Sequence, residues 1–143
     1  MSVLLEIAEH RRIRIAREGH AQGVDLHAVR PGPIIPFGRP PFLVCEIKRK
    51  SPSKGAIAPG LNAVQQAGYY VQAGVRSLSI LTEQDSFAGS LQDLVDVRHT
   101  FPDAAILRKD FLLDRLRVLK RTGFVAEILI YLLKVEAEGI IDH

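Results

Sequence analysis

The chain is poor in sulfur and aromatic side chains. Its 143 residues include one cysteine, Cys45, one methionine and no tryptophan. A single cysteine excludes an internal disulfide and indicates a reducing compartment, so we expect the chain in the cytoplasm. The five histidines stand singly along the sequence, and this spacing gives no support for a metal site.

Long apolar runs are absent as well. No stretch approaches the roughly 20 residues of a membrane span, and the N-terminus lacks the apolar core of a signal peptide, so no membrane partner is expected. The composition, 47% hydrophobic and 24% charged with a net charge of +3, is typical of one globular core.

Much of the basic excess lies in residues 11–17. Such a run is typical of the solvent-exposed face of an amphipathic helix, and a partial apolar stripe accompanies it at Leu4, Ile7, Ala8 and Ile15. Nucleic-acid binding is a minor alternative that we do not favour, because no aromatic or groove-reading motif is present.

Apolar segments with strand character alternate with helical patterns after the first 41 residues. Strands are predicted near 42–48, 75–82, 104–109 and 125–132, with helices over 62–73 and 91–99. This alternation predicts βαβ units and a parallel sheet, hence the α/β class. Residues 1–41 are predicted to form a helix and a Gly/Pro-rich connector, and residues 42–143 the α/β domain.

Charged residues occur where the predicted strands end. Glu46 and Lys48 share one face of the first strand, Glu83 follows the second, and Lys109 ends the third. Because ligands bind at the carboxyl ends of parallel strands, we expect these groups to converge on an anion-handling site. The alternatives are a solvated ion pair on an edge strand and a lysine that reaches out to solvent.

Two further features surround these strand ends. Residues 51–55 read as a loop whose hydroxyls and backbone N–H groups, with Lys50 or Lys54, could hold a phosphate. Arg108 and Asp110 lie on the face of their strand opposite Lys109, where they could pair with neighbouring helices.

Three motifs in this order resemble the indole-3-glycerol-phosphate synthase family: EIKRKSPSKG (46–55), SILTE with FAGS (79–83 and 87–90) and LRKDFLLD (107–114). The resemblance covers about residues 1–114. It implies a (β/α)₈ barrel that, without a cofactor, converts 1-(2-carboxyphenylamino)-1-deoxyribulose 5-phosphate into indole-3-glycerol phosphate, carbon dioxide and water.

The resemblance also implies roles for single residues. Lys109 would be the general acid that protonates the substrate carbonyl, Lys48 would contact the substrate carboxylate and assist dehydration, and Glu46 would orient Lys48 and take part in proton transfer. Substrate would be bound by residues of the first loop and by two aromatic walls against the anthranilate ring: Lys50, Ser51 and Pro52, and Phe87 and Phe111.

The family pattern weakens after residue 114, and the chain has room for four βα units instead of eight. We therefore expect a truncated half-barrel of three to four units that lacks the family's second catalytic glutamate and main phosphate loops. Three hypotheses follow: a shortened synthase, a half-barrel that associates with itself or with a complementary fragment, and phosphoribosylanthranilate isomerase on the same scaffold, which the Glu-x-Lys and Lys-Asp-Phe motifs disfavour.

Overall fold

The structure, a computed structural model, describes residues 2–19, 21–24, 35–111 and 113. Within these ranges the elements follow the order α1 (Val3–Glu18), β1 (Val44–Ile47), β2 (Lys50–Ser51), β3 (Gly55–Ala56), α2 (Ala63–Gln72), β4 (Ser77–Leu81), α3 (Leu91–Thr100) and β5 (Ala105–Lys109). The strand predicted near 125–132 and residues 25–34 of the predicted connector lie outside the described residues. None of the described helices is both long and apolar enough to span a membrane.

Three strands form a parallel sheet in the order β1-β4-β5. Helix α2 connects β1 to β4 and α3 connects β4 to β5, so the chain contains two βαβ units. The strands are shorter than the predicted segments. Pairing of β1 begins only at Val44, opposite Ser77, and Phe42 and Leu43 precede it as exposed side chains.

One face of the sheet packs against α2 and α3. The apolar cluster there includes the strand residues Ile47, Leu78, Ile80 and Ile106 and the helix residues Ala63, Ala67, Leu91, Leu94 and Val97. Both helices begin at a capping side chain: Asn62 accepts a hydrogen bond from the Gln65 N–H, and Ser90 accepts one from the Gln92 N–H. Because side chains alternate along a strand, the opposite face is left for Glu46 and Lys109.

The segment predicted as a loop at 51–55 is part of a small hairpin. Strands β2 and β3 pair antiparallel, with Lys50 opposite Ala56 and Ser51 opposite Gly55. Gly55 has φ +66°, a conformation that glycine adopts with little steric cost. The hairpin fixes the backbone on which Lys50 and Ser51 lie.

Helix α1 buries Ile7 and Ala8, two members of its predicted apolar stripe. The prediction that residues 11–17 form a solvent-exposed face is wrong for Arg11, which is only 1% exposed. Its guanidinium donates to the buried carboxylate of Asp110 at 3.0 Å, and this partner compensates for the loss of water. Arg12 and Arg17 of the same run are exposed.

Candidate functional site

Three charged side chains meet at the carboxyl ends of β1 and β5. The register places Glu46 beside Ser79 of β4, and Ser79 beside Leu107 of β5. Lys109 lies two residues beyond Leu107 and therefore on the same face of the sheet. The Lys109 Nζ is 3.3 Å and 3.4 Å from the two carboxylate oxygens of Glu46.

Lys48 approaches the same carboxylate, with its Nζ 3.6 Å from Glu46 Oε1. The predicted pairing of Glu46 with Lys48 is thus present. Lys109 joins the same carboxylate, in agreement with the predicted convergence of these three residues. About one third of each of the three side chains is exposed. One carboxylate between two ammonium groups leaves a net positive, accessible cluster, which is suited to bind an anion and to donate a proton.

Two aromatic rings follow the carboxyl ends of β4 and β5. Phe87 lies in the loop after β4, and Phe111 lies two residues after Lys109. Their ring centroids are 6.1 Å apart with an interplanar angle of 28°, a separation typical of interacting aromatic pairs. The structure therefore brings together the two residues predicted as aromatic walls.

A buried ionic network lies on the other face of β5. The Asp110 carboxylate accepts hydrogen bonds from Arg11 of α1, from Arg108 at 2.7 Å and from the Thr82 hydroxyl at 2.8 Å. Arg108 also donates to the Thr82 oxygen. Burial lowers the pKa of Arg11, and the Asp110 charge acts in the opposite direction. Asp110 thus pairs with a neighbouring helix, as predicted. Arg108 pairs with Asp110 and Thr82 at the ends of the strands, and the network secures α1 beside the strand end.

Glu83 does not join the charged cluster, although the sequence predicted convergence there. Its side chain is fully buried, and its carboxylate accepts hydrogen bonds from the backbone N–H groups of Asp85, Ser86 and Phe87 at 2.8–3.0 Å. Desolvation by burial raises the pKa of Glu83, while these three donors act in the opposite direction. Glu83 therefore stabilises the loop after β4.

An open groove of about 590 Å³ separates α1 from the β2–β3 hairpin, and Lys50, Ser51 and Pro52 line it. The Lys50 Nζ donates to the Asp85 carbonyl oxygen at 3.3 Å, and Arg14 of α1 pairs with the Asp85 carboxylate. The three predicted first-loop residues therefore lie together. Glu46, Lys48 and Lys109 are not part of the groove lining, so the structure presents two adjoining regions.

Sequence reasoning missed Arg11 and Thr82. Arg11 stands in a run of basic residues that is normal for a wet helix face, and its partner lies 99 residues away. The pair Arg108 and Asp110 could have indicated a buried helix partner such as Arg11, because charged side chains on the helix-facing side of a strand require partners. In the described ranges, no three or more His, Cys, Asp or Glu side chains are grouped to hold a metal ion.

A parallel α/β sheet with a charged site at the carboxyl ends of its strands defines the class of α/β proteins that bind ligands at that edge. A family model described as indole-3-glycerol phosphate synthase matches residues 36–140. The chain therefore belongs to the indole-3-glycerol phosphate synthase family.

Curated relatives agree with this membership. The chain is 40% identical to an indole-3-glycerol phosphate synthase of Hyphomonas neptunium over 91 residues. The matched region is 64% of this chain and 34% of that protein. It is 38% identical over 129 residues to the indole-3-glycerol phosphate synthase of Opitutus terrae, a match over 80% of this chain and 48% of that protein. A multifunctional tryptophan biosynthesis protein of Phycomyces blakesleeanus is 40% identical over 102 residues, a match over 68% of this chain and 13% of that protein. The chain thus spans between about an eighth and a half of these relatives.

Proposed function

We propose that this chain carries part of the active site of an indole-3-glycerol phosphate synthase, acting in tryptophan biosynthesis in the cytoplasm. The supporting observation is the Glu46 carboxylate held between the ammonium groups of Lys109 and Lys48. The proposal includes a (β/α)₈ barrel, of which residues 42–143 supply three to four units after an N-terminal segment 1–41. No cofactor takes part in the proposed reaction.

In the proposed reaction the substrate ketone is attacked by the ring carbon that bears the carboxylate. Lys109 donates a proton to the ketone oxygen as the carbon–carbon bond forms, carbon dioxide then leaves, and the new hydroxyl departs as water. Lys48 holds the substrate carboxylate and assists the dehydration. Glu46, which contacts both lysines, orients them and relays protons.

The remaining predicted residues would hold the two ends of the substrate. Phe87 and Phe111 would stack against the anthranilate ring. Lys50, Ser51 and Pro52, which line the adjoining groove, would approach the phosphorylated end. A positively charged hairpin and an aromatic pair suit a substrate with a phosphate at one end and an aromatic acid at the other.

The test is turnover of 1-(2-carboxyphenylamino)-1-deoxyribulose 5-phosphate by the purified chain, followed by indole fluorescence. Because the chain contains no tryptophan, product is the only indole in the assay. We expect Lys109→Ala to lower the rate about 10²- to 10⁴-fold, as for loss of a general acid. The matched control is Arg76→Ala, an exposed basic residue next to the opposite end of β4, which should leave the rate unchanged.

Equal rates for the chain and Lys109→Ala would contradict the proposed role of Lys109. A folded chain without turnover would contradict activity of these residues alone. Fluorescence of the anthranilate group would then show whether substrate still binds.

A second candidate function, a half-barrel that pairs with itself or with a complementary fragment, is favoured by one observation. In the described sheet β1 pairs on one side only. Its first residue, Val44, is 39% exposed, and the two residues before the strand are exposed by 45% (Phe42) and 66% (Leu43). An apolar, one-sided edge strand is a surface suited to strand pairing. In this alternative the site would form at an interface.

A further inference from the structure

The two aromatic residues of the site share an arrangement of their backbones. The Phe87 N–H donates to Glu83 Oε2 at 3.0 Å, and the Phe111 N–H donates to Asp110 Oδ1 at 2.8 Å. Both acceptors are buried carboxylates that follow the ends of neighbouring strands, β4 and β5. The backbone N–H of each of the two phenylalanines is therefore hydrogen-bonded to a buried carboxylate.

Burying two carboxylates near one another is costly unless each is compensated. Asp110 is compensated by Arg11 and Arg108. Glu83 is compensated by three backbone N–H donors, and the positive charge of Arg11 also acts with Glu83 and Asp110. Apolar side chains would fill the same space at lower cost, so the carboxylates have a use other than filling the core.

Hydrogen bonds to a charged acceptor are short and directional, so they fix the backbone more strictly than apolar packing does. Glu83 holds three consecutive amides, 85 to 87, and so determines the path of the loop up to the Phe87 ring. Asp110 fixes the turn from Lys109 into Phe111. The two constraints together fix the backbone positions from which the two rings approach each other, with their centroids 6.1 Å apart.

We propose that Glu83 and Asp110 are positioning residues that hold Phe87 and Phe111 as a preformed aromatic wall, with Arg11 of α1 as their shared counter-charge. This inference rests on the proposed function for the identity of the ligand ring, which is an anthranilate. A wall that is ordered before the ligand binds loses little conformational entropy on binding, so the affinity for the ligand is higher.

The variants Glu83→Gln and Asp110→Asn test the proposal with little change of volume. Each replaces an acceptor oxygen by an amide NH₂ that faces hydrogen-bond donors. At Glu83 these are backbone N–H groups; at Asp110 they are the Phe111 N–H on one oxygen and the side chains of Arg11, Arg108 and Thr82 on the other. The matched control is Asp96→Asn, the same type of change at an exposed carboxylate of α3 that accepts from the Gln92 side chain. The six phenylalanines are labelled with fluorine, and their resonances are assigned by single Phe→Leu variants.

In Glu83→Gln we expect the Phe87 resonance to move toward its position in the urea-unfolded chain, and in Asp110→Asn the Phe111 resonance. The Phe101 resonance, from a ring packed against the α2–α3 core, should stay in place in both variants and report intact folding. A folded Glu83→Gln variant with an unchanged Phe87 resonance would overturn the proposal.

If a variant fails to fold, hydrogen exchange of the backbone amides in the unaltered chain provides a second test of the proposal. We expect the amides of Ser86, Phe87 and Phe111 to be protected like those of β4, although none of them lies in a strand. Rapid exchange of the Phe87 and Phe111 amides in a chain whose β4 amides are protected would also overturn the proposal.

Substrate affinity, measured by anthranilate fluorescence, links the wall to the ligand. We expect Glu83→Gln to weaken binding about tenfold, the loss of roughly one hydrogen bond to a charged group, with Asp96→Asn unchanged. Unchanged affinity in the presence of a displaced Phe87 ring would overturn the claim that the wall serves the ligand. If the unaltered chain binds no substrate while its rings respond as expected, the proposed function fails and the positioning role stands.

Discussion

Gly89 is the residue of the FAGS motif at which a side chain has no space. A Cβ atom built there would lie 2.3 Å from the Leu81 carbonyl oxygen and 2.7 Å from that of Glu83, and the Gly89 N–H donates to the latter at 2.7 Å. The obstructing atoms belong to the backbone at the end of β4, so relief requires movement of the strand end itself.

We therefore predict that Gly89→Ala lowers the free energy of unfolding by about 3 kcal/mol. Gly60→Ala is the matched control, because no heavy atom lies within 4 Å of its added Cβ and its φ is not positive. It should change stability by less than about 0.5 kcal/mol. Urea unfolding of the two variants measures both values, and equal midpoints would refute the predicted close contact.

Arg11 and Arg12 are neighbours in sequence with opposite surroundings. Arg11→Met keeps most of the side-chain volume but leaves Asp110 buried with one guanidinium instead of two, so we predict a loss of about 3 kcal/mol. Arg12→Met removes only an exposed pair with Glu9 and should cost less than about 0.5 kcal/mol. Urea titrations followed by circular dichroism make the comparison, and similar losses in both variants would contradict the buried network.

Part of the candidate site could be predicted from the sequence, and part of it could not. The shared face of Glu46 and Lys48 follows from strand alternation alone, and so does the separation of Lys109 from Asp110. The burial of Arg11 could not be predicted, since it depends on a partner 99 residues away. Nor could the contact of Lys109 with Glu46, because it needs the relative register of strands that are joined only through β4.

At the scale of elements, Asp85 joins α1 to the loop after β4 and to the β2–β3 hairpin. Its carboxylate pairs with Arg14, and its carbonyl oxygen accepts from Lys50. The hydrogen bond from Arg14 holds the pKa of Asp85 below its usual value. The folded chain therefore releases the Asp85 proton more readily than the unfolded chain does, and the resulting stability is complete only above the ordinary aspartate pKa, about 3.9.

Asp85→Asn should lower the free energy of unfolding at pH 7 by about 1 kcal/mol. The difference from the unaltered chain should shrink as the pH falls below about 3.9, because the protonated carboxyl no longer differs in charge from the amide. Urea unfolding at a series of pH values provides the measurement, with Asp103→Asn, an exposed change before β5, as control. A difference that stays constant down to pH 2 would rule out the ion pair as its cause.

Helices were easier to predict than the small sheet elements. The caps Asn62 and Ser90 mark the starts of α2 and α3 in sequence, since a side-chain acceptor precedes each apolar pattern. The β2–β3 hairpin carries no such mark. With two residues in each strand, it is too short for alternation to appear, and its Pro and Gly content indicates only a turn.

For the molecule as a whole, the parallel order β1-β4-β5 follows from the predicted βαβ alternation, whereas the length of each strand depends on its neighbours in the sheet.

If the exposed edge of β1 mediates self-association, sedimentation velocity should show a larger species whose proportion grows with concentration. Leu43→Lys, directly before β1, should then shift the distribution to the monomer, because a lysine at an exposed strand edge opposes pairing. Ile13→Lys, an equally apolar and exposed position on α1, is the control and should have no effect. A monomer at all concentrations would contradict the half-barrel assembly.

The ion pair between Arg11 and Asp110 also sets an order of events during synthesis. Helix α1 is translated before β5, and the carboxylate that accepts a hydrogen bond from its buried arginine is made 99 residues after that arginine. At 5–20 residues per second this interval lasts roughly 5–20 s. Over that time Arg11 stays hydrated and α1 cannot form its buried ion pair, so the helix completes its packing only after β5 has been made.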